Sequence, residues 1–117
     1  MPKVSEKLET VRKALIGISG VPVTPYGTDG SIDVAKLDAL IRDMAAARVH
    51  NLMAAGNTGE FFTLTMDEIS LVHRTTIKAA AGKSLVSAAV GRSLTDAKLL
   101  ARDAIAEGAD AIMGHHP

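Results

Sequence analysis

The sequence predicts an α/β fold built on a parallel sheet. Three observations carry that prediction: four short apolar runs alternate with three helix-patterned stretches, the connections are a few residues long, and the run Leu85 to Val90 is almost continuously apolar. Strand, helix and strand joined this closely form right-handed crossovers and parallel neighbours. A strand apolar on both faces suits a sheet that helices cover.

The elements follow in order. Ser5 to Leu15 carries Leu8, Val11 and Leu15 among charges, the spacing of a short amphipathic helix lying over something else; residues 1–13 form an N-terminal helical cover. Leu15 to Val23 reads as the first strand and stops at Thr24-Pro25-Tyr26, where a proline cannot donate to a ladder. Gly27 to Ser31 is a turn, and Asp33 caps a helix with Leu37, Leu40, Ile41 and Met44 on one face, ending near Arg48 without a glycine. Val49 to Ala55 is the second strand. Thr65 and Glu68 form a capping box that starts a helix with Ile69, Val72, Thr76 and Ala80 inward, stopping at Gly82. After the third strand and Gly91-Arg92-Ser93, a helix from about Thr95 buries Ala97, Leu100, Ala101, Ala104 and Ile105 and stops at Gly108. Ala109 to Gly114 is the fourth strand, followed by His115-His116-Pro117.

Composition bounds the function. The chain has 117 residues, 13 basic side chains against 13 acidic ones, and no cysteine. The balance gives no reason to expect nucleic acid as a partner. No apolar run approaches the roughly 20 residues of a membrane span, and the first 13 residues are too charged for a signal-peptide core. The lack of cysteine rules out disulfide and thiolate chemistry and fits a cytoplasmic location.

In parallel α/β sheets ligands bind at the carboxyl ends of the strands. The loops there are Thr24-Pro25-Tyr26, Gly56-Asn57-Thr58-Gly59-Glu60, Gly91-Arg92-Ser93 and His115-His116. Gly56 and Gly59, three apart with Asn57 and Thr58 between, can turn backbone N–H groups inward as an anion nest. A tight turn with no ligand is the other reading. Gly82-Lys83-Ser84 imitates a phosphate loop, but Ile77 stands where that pattern needs glycine. His115 and His116, read as adjacent strand residues, point to opposite faces and cannot share one metal ion. His50 and His73 read as structural, Glu60 as fixing its loop, and Asp103, Glu107 and Asp110 as a solvated helix face and its exit. Thr24-Pro25 and Gly91-Arg92 stand where a phosphoacceptor receiver needs acids.

Taken together, Thr24-Pro25-Tyr26, Asp29-Gly30, Ile32-Asp33, Gly56-Asn57-Thr58-Gly59-Glu60 and Leu64-Thr65 with Glu68 resemble the N-terminal half of the dihydrodipicolinate synthase and N-acetylneuraminate lyase family. The resemblance covers residues 14–117 and implies a partial (β/α)8 barrel of three βα units and a further strand. In that family a lysine from the sixth strand forms a Schiff base with pyruvate or another 2-oxo acid. The resemblance implies that Gly56, Asn57, Thr58 and Gly59 bind the substrate, with Asn57 and Thr58 holding its carboxylate through backbone N–H groups and the Thr58 hydroxyl. Thr24, Pro25, His115 and His116 are expected to line the site, with neither metal nor cofactor.

Two departures shape the expectation. Asn57 replaces the first of two paired hydroxyl residues, which draws the chain away from dihydrodipicolinate synthesis. Ala54-Ala55-Gly56 and Phe61-Phe62 look closer to the branch that dehydrates 5-dehydro-4-deoxyglucarate. A whole barrel needs roughly 250 residues, and none of Lys3, Lys7, Lys13, Lys36, Lys78, Lys83 and Lys98 ends a strand on the catalytic side. The chain is therefore expected to hold part of a 2-oxo acid site without catalysing, as a truncated form of a homo-oligomeric lyase. The competing expectation is a small doubly wound domain that binds or assembles.

Overall fold

In a computed structural model, which describes residues 2–116, the chain runs α1 (Pro2–Ile16), β1 (Ser19–Gly20), α2 (Val34–Ala46), β2 (Asn51–Ala54), α3 (Met66–Ala80), β3 (Leu85–Val90), α4 (Leu94–Glu107) and β4 (Ala111–Gly114). A 3-10 turn at Phe61–Thr63 precedes α3. The four strands are parallel and lie in the order β1-β2-β3-β4. Leu52 stands opposite Gly20 and Val86, and Ala88 opposite Ala54 and Ile112. Right-handed crossovers that advance in one direction keep their helices on one face of the sheet. A doubly wound sheet reverses direction at a switch point. The observed order is that of a barrel wall, and the doubly wound alternative does not hold.

Local chemistry sets the helix ends. Asp33 Oδ1 accepts the Lys36 N–H at 3.0 Å and starts α2. Thr65 Oγ1 accepts the Glu68 N–H at 3.1 Å while Glu68 Oε1 accepts the Thr65 N–H at 2.9 Å, the complete capping box. Ser93 accepts the Asp96 N–H at 3.0 Å and starts α4 one residue before Thr95. Gly108 ends α4 at φ 111°, and α3 leaves through Ala81 and Gly82, both left-handed. Arg48 adopts φ 65° where a glycine would be expected, a conformation costing roughly 1 kcal/mol in a side-chain-bearing residue.

The core lies between the sheet and α2–α4. Leu37 and Ile41 of α2, Leu52 of β2, Ile69 and Val72 of α3, Val86 of β3 and Leu100 of α4 are buried together. Burying each such side chain contributes about 1.5–3 kcal/mol against the unfolded chain's entropy. A polar thread also crosses the sheet. The Ser87 hydroxyl donates to Asn51 Oδ1 at 2.8 Å, and Asn51 Nδ2 donates to Ser19 Oγ at 3.3 Å.

Several expectations are corrected. The first strand is only Ser19–Gly20, because α1 continues through Ile16 and Pro22 has no N–H to extend the ladder. Leu8 and Leu15, expected inward on α1, are 63% and 53% exposed. The opposite side of α1 faces the protein: Thr10, Lys13 and Ala14 border a groove with Arg48, His50 and Lys83. Ile105, expected buried, is 61% exposed, since Leu100 and Ala104 take the inward positions of α4. Asp110 is not merely solvated: its Oδ2 accepts the Val86 N–H at 3.0 Å and its Oδ1 meets Lys7 Nζ at 2.6 Å, tying β3 to α1. His50 is a structural latch, with Nδ1 accepting the Ile18 N–H at 2.9 Å.

Candidate functional site

β2 ends at Ala54, and the chain turns at once because Ala55 takes φ 59°. A second left-handed residue, Glu60 at φ 67°, closes the loop. The Glu60 N–H donates to the Asn57 carbonyl at 2.9 Å and the Phe61 N–H to the Gly56 carbonyl at 3.4 Å. Positive φ thus falls on the residues flanking the loop, not on its glycines, which corrects the reason expected for them. Gly56 and Gly59 are needed for close approach instead. A Cβ on Gly56 would lie 2.8 Å from Val21 Cγ1, and one on Gly59 would lie 3.2 Å from the Pro22 carbonyl.

This loop forms one rim of a cleft of about 290 Å³ at the carboxyl end of the sheet. Gly56, Asn57 and Thr58 stand on one side, Gly114, His115 and His116 on the other, and Val21, Met53 and Met113 border it too. His115 and His116 follow β4 instead of lying in it, and both border the cleft, so the alternation argument does not separate them. Among the described residues, none accepts a hydrogen bond from the Asn57 or Thr58 backbone N–H, nor engages the Thr58 hydroxyl. Those donors are available to a ligand whose charge is negative.

The other candidates take different places. Gly59 is buried, and its carbonyl accepts the Thr24 hydroxyl at 2.7 Å, so Thr24 straps the loop from beneath and does not line the cleft. Pro25 does not line it either; its carbonyl accepts the Asp33 N–H at 2.9 Å. Glu60 makes no side-chain capping bond. Its carboxylate lies by Tyr26, whose phenol is held above its ordinary value by desolvation first and by Glu60 second. Arg92 reaches back so that its Nη1 donates to the Leu64 carbonyl at 2.8 Å, bracing the start of α3.

Behind the loop sits an aromatic cluster that sequence reasoning missed. The His115 ring lies 4.3 Å from the Phe61 ring and 5.1 Å from Phe62, and the two phenyl rings meet edge to face at 5.1 Å. His115 Nε2 faces the Ala55 carbonyl at 3.4 Å. The available signal was two adjacent phenylalanines in a chain with only three aromatics, directly after the glycine loop.

His73, on α3, is 1% exposed, and neither ring nitrogen has a hydrogen-bond partner among the described residues. Burial pushes its imidazole down to about 4, offset only in part by the nearby Ala89 backbone, which does not reach hydrogen-bond geometry with either nitrogen. A separate cleft of about 130 Å³ between α3 and α4 adjoins it, bordered by Arg74, Asp103 and Glu107. No group of three His, Asp or Glu side chains among the described residues is placed to hold a metal ion. None of the described helices is long and apolar enough to cross a membrane.

Comparison with known proteins places this geometry in context. The pattern of the Dihydrodipicolinate synthetase family matches residues 14–117. A probable 5-dehydro-4-deoxyglucarate dehydratase of Chelativorans sp. (strain BNC1) is 38% identical over 108 residues, covering 92% of this chain and 35% of that protein. A 4-hydroxy-tetrahydrodipicolinate synthase of Chlorobium limicola is 38% identical over 96 residues, covering 81% of this chain and 32% of that protein. The crystal structure of dihydrodipicolinate synthase from Bacillus clausii superposes with a TM-score of 0.85 at 35% identity, over 92% of this chain and 38% of that one. The chain spans about a third of the length of the relatives it matches.

Proposed function

The chain belongs to the dihydrodipicolinate synthetase family, and we propose on that footing that it is the carboxylate-binding part of a Schiff-base-forming lyase. The substrate is a 2-oxo acid, pyruvate or a keto-deoxy sugar acid, and the reaction is an aldol cleavage or a dehydration. The observation that carries this reading is the pair of N–H groups at Asn57 and Thr58 that no described residue engages, on the rim of a cleft at the carboxyl end of β2. Two backbone N–H donors and a hydroxyl from adjacent residues on one cleft rim suit a carboxylate, and hydrogen bonds to a charged acceptor are about twice as strong as neutral ones.

With the carboxylate anchored there, the 2-oxo carbon lies over the cleft, where an amine can attack it. Condensation releases water and leaves an imine; once it takes up a proton, its positive nitrogen draws electrons from the bond to be broken. The amine must come from elsewhere in the full-length protein. Lys7, Lys13, Lys36, Lys78, Lys83 and Lys98 are all exposed, and none borders the cleft. The 117-residue chain is accordingly expected to bind without forming the imine. The open edges of β1 and β4 support completion of the wall by further strands, and we read the whole protein as a cytoplasmic homo-oligomer.

Of the family's branches, the dehydratases of sugar acids fit best. Asn57 supplies an amide where a proton-relaying hydroxyl would stand, and dehydratases are among the relatives. The test is calorimetric titration of the full-length product with pyruvate and with pyruvamide, which keeps the 2-oxo group but lacks the charge. Saturable binding of pyruvate alone is expected. Equal binding of both, or of neither, contradicts the carboxylate reading.

A further inference from the structure

His115 touches both ends of the Gly56–Glu60 loop. At the entrance, its Nε2 lies 3.4 Å from the carbonyl of Ala55; a carbonyl only accepts, so the contact is a hydrogen bond in the tautomer that carries its proton on Nε2. At the exit, its ring packs on Phe61 with centroids 4.3 Å apart. Gly91 makes room for both: a Cβ there would meet His115 Cβ at 3.1 Å and Phe61 Cε1 at 3.2 Å. The backbone of His115 is itself anchored, its N–H donating to the Val90 carbonyl at 2.8 Å.

Ala55 is where the loop needs such support. Its left-handed φ of 59° is unfavourable for alanine and persists only where the surroundings over-determine it. If Ala55 relaxed to extended backbone, β2 would run on and carry the Asn57 and Thr58 N–H groups away from the cleft. We propose that His115 is a positioning residue, which holds Ala55 left-handed and thereby keeps the Asn57 and Thr58 backbone on the rim of the cleft. As a statement about substrate this rests on the 2-oxo acid reading; as a statement about the loop it does not.

Two variants of the full-length product separate its contributions. His115→Phe keeps a ring against Phe61 and Gly91 but loses the N–H, whereas His115→Gln can restore an N–H near the Nε2 position. The first readout is hydrogen exchange at the Glu60 and Phe61 amides, which close the loop. In His115→Phe they are expected to exchange roughly three- to tenfold faster, the worth of one hydrogen bond, with α2 and α3 unchanged and His115→Gln recovering toward wild type. The second readout is kinetic: KM for the 2-oxo acid rises by a similar factor while kcat stays within about twofold. Unchanged exchange in His115→Phe, or acceleration spread over the whole protein, overturns the proposal. A wild-type enzyme that ignores 2-oxo acids overturns the substrate reading alone, because the exchange result still decides the role of His115.

Discussion

Thr24 Oγ1 donates to the carbonyl oxygen of Gly59 at 2.7 Å, joining two loops 35 positions apart in the sequence. Both residues are buried, so neither partner has water to fall back on. Thr24→Val preserves shape but strands the carbonyl, and a loss of about 1–3 kcal/mol is expected. Thr24→Ser, which retains the hydroxyl, should lose less. Urea unfolding with an unchanged m-value measures both; a valine variant as stable as wild type would show that the strap contributes nothing.

Gly56→Ala would place a methyl group 2.8 Å from Val21 Cγ1 and 2.9 Å from Met53 Cγ. Relief of that overlap has to come from movement of the loop or of its neighbours, at about 1–3 kcal/mol. Since Val21 is one cause, Val21→Ala combined with Gly56→Ala should recover part of the loss. Strict additivity of the two changes would argue that they do not meet.

Thr58→Ala removes a hydroxyl that no described residue engages, from an exposed position. Stability is therefore expected to stay within about 0.5 kcal/mol. Affinity for the 2-oxo acid should fall roughly tenfold, the value of a hydrogen bond to a charged group. Asn57→Ala should alter affinity little, because only the backbone N–H of that residue is given a role. Calorimetry compares the two, and a larger effect at Asn57 than at Thr58 would reverse the assignment.

His73 makes stability depend on pH. Its folded value of about 4 lies below the unfolded 6.5, so the folded state disfavours the proton. The stabilisation is fully present above about pH 6.5 and is lost progressively as pH falls toward 4, about 3 kcal/mol in all for a ring this deeply buried. His73→Leu should flatten the urea midpoint between pH 6.5 and 4; an equally steep profile in that variant would assign the slope to other groups.

What the sequence made legible was whatever local chemistry determines. The capping box of Thr65 and Glu68, the Asp33 cap, the Gly108 stop and the inward face of α3 all lie within one or two helical turns of their cause. The loop from Gly56 to Gly59 was legible as glycines in a strand-to-helix connection. Their reason was not, because Gly56 answers to Val21 and Gly59 to Pro22, both more than thirty positions away. The left-handed Ala55 carries no local signal, and the stack of His115 on Phe61 exists only once β4 lies beside β3. The first strand was overestimated because Leu15 and Ile16 are as apolar in a helix as in a strand. Leu8 and Leu15 misled for the opposite reason: helical periodicity says which residues share a face, not which face the protein covers.

On the proposed reading, this chain holds a 2-oxo acid by its carboxylate while an amine from outside its 117 residues attacks the 2-oxo carbon. Borohydride trapping in the presence of pyruvate, read by intact mass, tests both halves at once. The full-length product is expected to gain a single reduced pyruvate adduct, and the 117-residue chain none. An adduct on the 117-residue chain would place the reacting amine within it, and no adduct on the full-length product would rule out the imine.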